Sequence, residues 1–163
     1  MNTLMNRQAK RYLGLGMLVA LGTIATAPAF AQSWSITRGY NVGALLPSET
    51  RKIAGGGTYL SGGARYLVDT EDPTYPITGQ SMDCRWFCKI SADGNETDCL
   101  TMCAGVDRDG DLFTFRGFGG NTYEVGPGTG KYMNATGGGT FEMLQPDDPA
   151  LTAIRFKGTL RLK

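Results

Sequence analysis

The chain has 163 residues, with 16 basic and 15 acidic side chains, a formal net charge of +1 and no histidine. That balance excludes a general nucleic-acid binder, which needs a basic excess. The missing histidine excludes Ser-His-Asp and Cys-His nucleophiles, imidazole metal ligands and histidine acid–base chemistry.

The first segment reads as a secretory signal. Arg7, Lys10 and Arg11 form a basic start, Leu13 to Ala27 an apolar run, and Ala29-Phe30-Ala31 a small-x-small cleavage site. Cleavage before Gln32 is expected, with residues 1–31 as signal and 32–163 as one domain exported to the periplasm or beyond. The apolar run is short and broken by glycines and a proline, which suits a cleaved signal better than a membrane anchor. No later stretch is apolar enough for an integral membrane span. Cleavage removes three basic residues and no acidic ones, taking the net charge from +1 to −2.

Trp34-Ser35-Ile36-Thr37 alternates apolar and polar side chains as a half-buried strand does. Asn41 to Thr50, with Pro47 and Ser48, reads as a loop. From Ile53 to Val68, two short strands are expected around a tight Gly62-Gly63 turn. Asp69 to Pro76 reads as a surface loop, followed by a strand from about Ile77 to Ile90 and a return strand ending at Val106. Asp109-Gly110 marks the next hairpin. Leu112 to Phe118 then places Phe113 and Phe115 on one face, Gly119-Gly120-Asn121 turns the chain, and Thr122 to Val125 forms a short strand. Gly126 to Thr136 is a glycine-punctuated connection, Gly138 to Leu144 a strand, and Gln145 to Pro149 a loop. In the last strand Ile154, Phe156, Gly158, Leu160 and Leu162 share one face, while Arg155, Lys157, Thr159, Arg161 and Lys163 share the other. About eight short strands and no credible amphipathic helix define an all-β domain. Sequential hairpins and abundant strand glycines favour a closed antiparallel meander barrel over a sandwich.

All four cysteines fall in one stretch and are mirror-symmetric about Asp93-Gly94. With a two-residue hairpin turn there, Cys88 faces Cys99 and Cys84 faces Cys103, within disulfide reach. A helical hairpin with cysteines at i and i+4 would give the same nested pairing. Four thiolates on zinc are the alternative, disfavoured by the oxidising compartment that the signal implies. The role expected for Cys84, Cys88, Cys99 and Cys103 is structural, two disulfides stapling a hairpin.

The run from Gly126 to Phe141, GPGTGKYMNATGGGTF, resembles a signature of the allene oxide cyclase and dirigent-like barrel families, although Pro127 stands where a glycine is usual and Asn134 interrupts the small-residue stretch. Asp107-Arg108-Asp109-Gly110-Asp111 is similar to a strand turn common in bacterial members. The resemblance implies a small eight-stranded antiparallel barrel, often a homo-trimer, with an apolar interior. Plant members cyclise an epoxide or steer phenoxy-radical coupling, and none of their catalytic residues aligns to a position here.

Few constellations carry chemistry. Gly126-x-Gly-x-Gly-Lys131 lacks the spacing of a phosphate loop and is followed by Tyr132 instead of Ser or Thr. Asp107, Asp109 and Asp111 mimic the first ligands of a calcium loop, but the glycine falls too early and Phe118 replaces the closing glutamate. On an alternating strand they would share a face, which suits either a weak cation site or plain solvation, and a solvated hairpin tip is the favoured reading. Arg155, Lys157, Arg161 and Lys163 form a charged outer row that discourages edge pairing. Met82, Met102, Met133 and Met143, with Phe113, Phe115, Tyr132 and Phe141, are expected in the core. The leading expectation is non-catalytic binding of a small apolar or amphipathic ligand inside the barrel, with no catalytic residue, metal or cofactor assigned. An isomerase or cyclase of the allene oxide cyclase type is the first alternative, with Glu124 or Glu142 the only acids to nominate. A structural or envelope-interaction protein with a filled barrel is the second.

Overall fold

A computed structural model describes residues 31–163, apart from the side chains of Glu96 and Thr97. Except for Ala31, the expected signal segment lies outside the described residues. Eight strands run in sequence: β1 (Gln32–Lys52), β2 (Thr58–Thr70), β3 (Ser81–Ile90), β4 (Glu96–Val106), β5 (Leu112–Phe118), β6 (Thr122–Val125), β7 (Thr136–Leu144) and β8 (Leu151–Leu162). Each pairs antiparallel with the next, and β1 pairs with β8, closing an all-β barrel without free edges. One 3₁₀ turn, Gly130–Tyr132, interrupts the β6–β7 connection.

β1 replaces the expected short strand and loop. Its first half pairs with β8 and its second half with β2, so one long strand closes the barrel. Two register shifts make this length tolerable. One, between Leu46 and Glu49, absorbs Pro47 and Ser48, where a missing N–H does least harm. The other lies between Ile36 and Gly39. The amides of Thr37 and Arg38 that it frees donate to the Glu71 carboxylate at 2.8 and 3.1 Å.

Gly62-Gly63 is not a turn. Both glycines lie inside β2, and the turn falls at 53–57, where Gly55 and Gly56 take positive φ. Gly62 pairs with Trp86, whose indole lies across it, and a β-carbon there would sit 2.6 Å from Nε1. A glycine inside a strand marks such a close approach. Gly62→Ala is therefore expected to displace the indole and cost about 1–2 kcal/mol in urea unfolding, with a shifted tryptophan emission maximum. An unchanged midpoint and spectrum would contradict the contact.

The cysteine hairpin keeps the expected register, Cys84 opposite Cys103 and Cys88 opposite Cys99, and both pairs are disulfides. The tip differs. Ser91 N–H donates to Asn95, Gly94 N–H donates to Ser91, and Gly94 is left-handed, so three residues turn instead of two. A register shift then lets Ile90 face Glu96 while Lys89 faces Asp98. The extra residue in the loop and the bulge cancel before the first cysteine pair is reached. β3 begins at Ser81, later than expected, because Tyr75 to Gln80 form successive turns.

The barrel has two unlike ends. The lower end carries the start of β1 and the end of β8, the connections 71–80 and 126–135 and the hairpin 107–111; the upper end carries the turns 53–57, 91–95, 119–121 and 145–150. Packing concentrates below. Ile36, Val68, Tyr75, Ile77, Phe113, Tyr132, Leu160 and Leu162 form a buried cluster, with Tyr75 and Ile77 folded in from the β2–β3 connection and Tyr132 from the 3₁₀ turn. Phe113 and Tyr132 rings lie 5.9 Å apart. Met82 joins this core, but Met102, Met133 and Met143 are exposed, contrary to expectation. Met102 projects outward from β4, Met133 follows the 3₁₀ turn, and Met143 reaches the rim of the cavity described next.

Candidate functional site

Above the packed half the barrel is hollow. A cavity of about 420 Å³ is bounded below by Tyr75, Ile77 and Met82 and reaches the exposed β5–β6 turn at Gly119, Gly120 and Asn121. That volume falls in the range of pockets that hold drug-sized molecules. Trp86, Phe115, Tyr123, Phe141 and Phe156 form much of its wall. Phe115 stands edge-on to Tyr123, and Tyr123 edge-on to Phe156, at centroid separations of 5.9 and 6.3 Å. Both disulfides also face this space, so the staple of the β3–β4 hairpin is part of the cavity wall.

No Asp, Glu, Lys or Arg is among the lining residues. The ionisable side chains there are tyrosines, and burial holds them neutral. It pushes the Tyr123 phenol up to about 12. Tyr75 is raised further, by burial and then by the nearby Tyr123. Burial raises Tyr66 as well, partly opposed by its hydroxyl contact to Thr152 at 3.3 Å. Asn41, midway along β1, turns its buried amide into the same space.

The two acids nominated from sequence point elsewhere. Glu124 pairs with Arg116 and Glu142 with Arg155 on the outer face of the barrel. The outer row of β8 is as expected, with Arg155, Lys157 and Arg161 exposed.

Asp107, Asp109 and Asp111 lie in the β4–β5 hairpin loop, not along a strand face. Asp107 Oδ1 accepts the amides of Asp109 and Asp111 at 2.9 and 3.0 Å, while Oδ2 accepts the Tyr132 hydroxyl at 3.0 Å. The Lys131 ammonium sits against Oδ2 at 2.5 Å and also contacts Asp109. Asp111 accepts the amide of Lys131 at 3.2 Å, and Leu112 and Thr129 exchange two further bonds. A lysine thus occupies the space between the first two carboxylates. Among the described residues, no group of three His, Cys, Asp or Glu side chains is placed to hold a metal ion. The two sequence motifs, Asp107–Asp111 and Gly130-Lys131-Tyr132, are two halves of one clamp across the lower end.

Sequence reasoning placed the cysteines correctly but missed Asn41, Tyr66, Tyr75, Trp86 and Phe156 as cavity residues. Phe156 was legible as inward from the alternation of β8. Asn41 was not, because the shift between Ile36 and Gly39 moves the inward face of β1 from even to odd positions.

Fold and site define an eight-stranded antiparallel barrel, plugged at one end and hollow at the other, with an apolar, uncharged interior. Neither a family model nor a curated protein sequence matches the chain. Among solved structures the barrel is similar to that of a pterocarpan synthase dirigent protein, with a TM-score of 0.51 over 81% of this chain and 91% of that one. Identity between the two is 9%, so the likeness is one of fold: a dirigent-like barrel.

Proposed function

We propose that the protein is exported and binds a small, uncharged, apolar or amphipathic molecule in the upper cavity without transforming it. One observation carries this reading: a cavity of about 420 Å³ whose lining holds aromatic and aliphatic surface but no carboxylate, lysine or arginine. General acid–base work at neutral pH is most efficient with a group that titrates there, and burial moves the Tyr75 and Tyr123 phenols further from that range. An isomerase or cyclase role is weakened for the same reason, since Glu124 and Glu142 face outward in ion pairs. A purely structural role would fit a filled barrel better than a hollow one.

Export is supported by the two disulfides, which persist in oxidising compartments. No helix among the described residues is long and apolar enough to cross a membrane. Self-association, which the family resemblance implies, is supported by exposed Phe87, Leu100 and Phe118, which lie side by side across β3, β4 and β5 on the outer face of the barrel.

Native mass spectrometry of gently purified, non-reduced protein tests these points together. The expected spectrum shows a chain beginning at Gln32, two disulfides, an oligomer, and a neutral adduct that is released on unfolding. A bare protein that also fails to take up an apolar fluorescent probe would overturn the binding reading.

A further inference from the structure

The outer face of β8 is separate from the cavity and shares with the reading above only the export of the chain. We infer that the basic row of β8, with the groove beside Trp34 into which it leads, binds an acidic polysaccharide.

A charged outer row on a strand commonly protects a free sheet edge. The closed barrel removes that role here, because β8 pairs with β1 on one side and β7 on the other. Lys157 and Arg161 are exposed and no carboxylate pairs with either, whereas Glu142 holds Arg155. Their neighbours follow from the register. Thr140 lies opposite Lys157, Thr136 and Ser33 flank Arg161, and Ser35 faces Thr159 between the two cations. Arg38, exposed in the β1 bulge opposite Lys157, adds a further guanidinium. At the borders Glu142, Glu124 and Glu71 are already engaged, by Arg155, by Arg116 and by Thr37 with the Arg38 amide. Residues 32–163 carry a net charge of −2, so this concentration of cations is local.

Lys157 and Arg161 stand about 13 Å apart along the strand, too far for one small anion to bridge. Cations spaced by hydroxyls match a polymer whose acid groups are spaced by hydroxyl-bearing rings. At the lower end the face continues over Ser33 into an open groove of about 440 Å³, lined also by Gln32, Trp34, Thr74 and Lys131. The indole is fixed there, donating its N–H to Thr74 Oγ1 at 3.2 Å and standing edge-on to Tyr75 at 6.4 Å. A fixed, half-buried indole among hydroxyl and amide side chains offers a sugar ring both an apolar surface and hydrogen-bond partners. Lys131 is held by Asp107 and Asp109, so recognition of acid groups falls to β8. A membrane surface fits less well. None of the residues paired with Lys157, Thr159 or Arg161 is aliphatic or aromatic, and exposed Phe87, Leu100 and Phe118 lie across the barrel on β3 to β5.

Affinity electrophoresis of the oxidised protein, in gels containing alginate or neutral dextran, tests the assignment. Alginate is expected to retard the protein, less so as salt is raised, and dextran is not. Joint substitution of Lys157→Ser and Arg161→Ser is expected to weaken alginate binding about tenfold. Joint substitution of Lys52→Ser and Arg85→Ser removes the same charge elsewhere and is expected to leave binding unchanged. Trp34→Leu is expected to weaken binding as well; should it fail to fold, the two charge pairs still decide. Absence of retardation in alginate, equal retardation in dextran, or equal losses in both charge pairs would overturn the inference. So would capture by phosphatidylglycerol vesicles with retention of full alginate affinity in the Lys157 and Arg161 variant. None of these outcomes bears on the cavity, which uptake of an apolar probe tests separately.

Discussion

Replacing all four cysteines with alanine is expected to lower the unfolding free energy by about 5 kcal/mol, and replacing either pair alone by about 2–3 kcal/mol. The bridges close nested loops, with sequence separations of 11 and 19 residues. Once one is formed, the other closes only the short ring between them, so each contributes less than it would alone. Folded-state packing offers little compensation, because all four side chains face the cavity. Alanine there enlarges a space that is already open. Against a total stability of roughly 5–15 kcal/mol, the fully substituted chain should be marginal. Urea unfolding of the oxidised protein and the three variants measures the series. A combined loss under about 1 kcal/mol would mean that the unfolded chain already holds the β3–β4 register without its staples.

Asp107→Asn is expected to cost about 3 kcal/mol at neutral pH, and the difference from the unaltered protein should shrink in acid. Burial pushes this carboxyl up. The Lys131 ammonium, the amides of Asp111 and Asp109 and the Tyr132 hydroxyl outweigh burial and hold it below the usual carboxylate range. The folded value is therefore depressed relative to the unfolded one. Its contribution is complete above the unfolded value, about 3.9, and is lost as pH falls through the lower folded value. Asparagine keeps one acceptor for the two backbone amides but turns an N–H toward the Lys131 ammonium. Glu71, Asp83 and Asp93 are also held low, yet they remain in both proteins, so the difference between the two pH profiles isolates Asp107. Parallel profiles down to about pH 2 would show that the clamp is not tied to this ionisation.

Much of this architecture was legible where side-chain period and turn chemistry act locally. The alternation of Ile154 to Lys163 gave the inner and outer faces of β8, and the mirror spacing of the cysteines gave their pairing. Errors clustered where one residue changes phase or where glycine has two meanings. The shift after Ile36 reverses the inward face of β1, and alternation read from Trp34 cannot anticipate it. Gly62-Gly63 looks like a turn in sequence, but Trp86, a strand away, needs the space above Gly62. The clamp was invisible for a similar reason. Both motifs were singled out, yet only the fold brings Lys131 to Asp107, and the three acids serve a lysine, three backbone amides and a tyrosine.

The double pairing of β1 also governs when the barrel can exist. Its partners include Leu162, bonded in register with Gln32, so the first strand of the domain waits for the last. A chain synthesised from its N-terminus presents β1 with half its length unpaired until β8 arrives. The β2 to β5 hairpins, by contrast, form from neighbours. Slow, non-local closure follows from such topology, and the interval before it leaves an open edge that can pair with another chain. Oxidation of the β3–β4 hairpin during that interval would shorten it, by fixing the centre of the sheet before its ends meet.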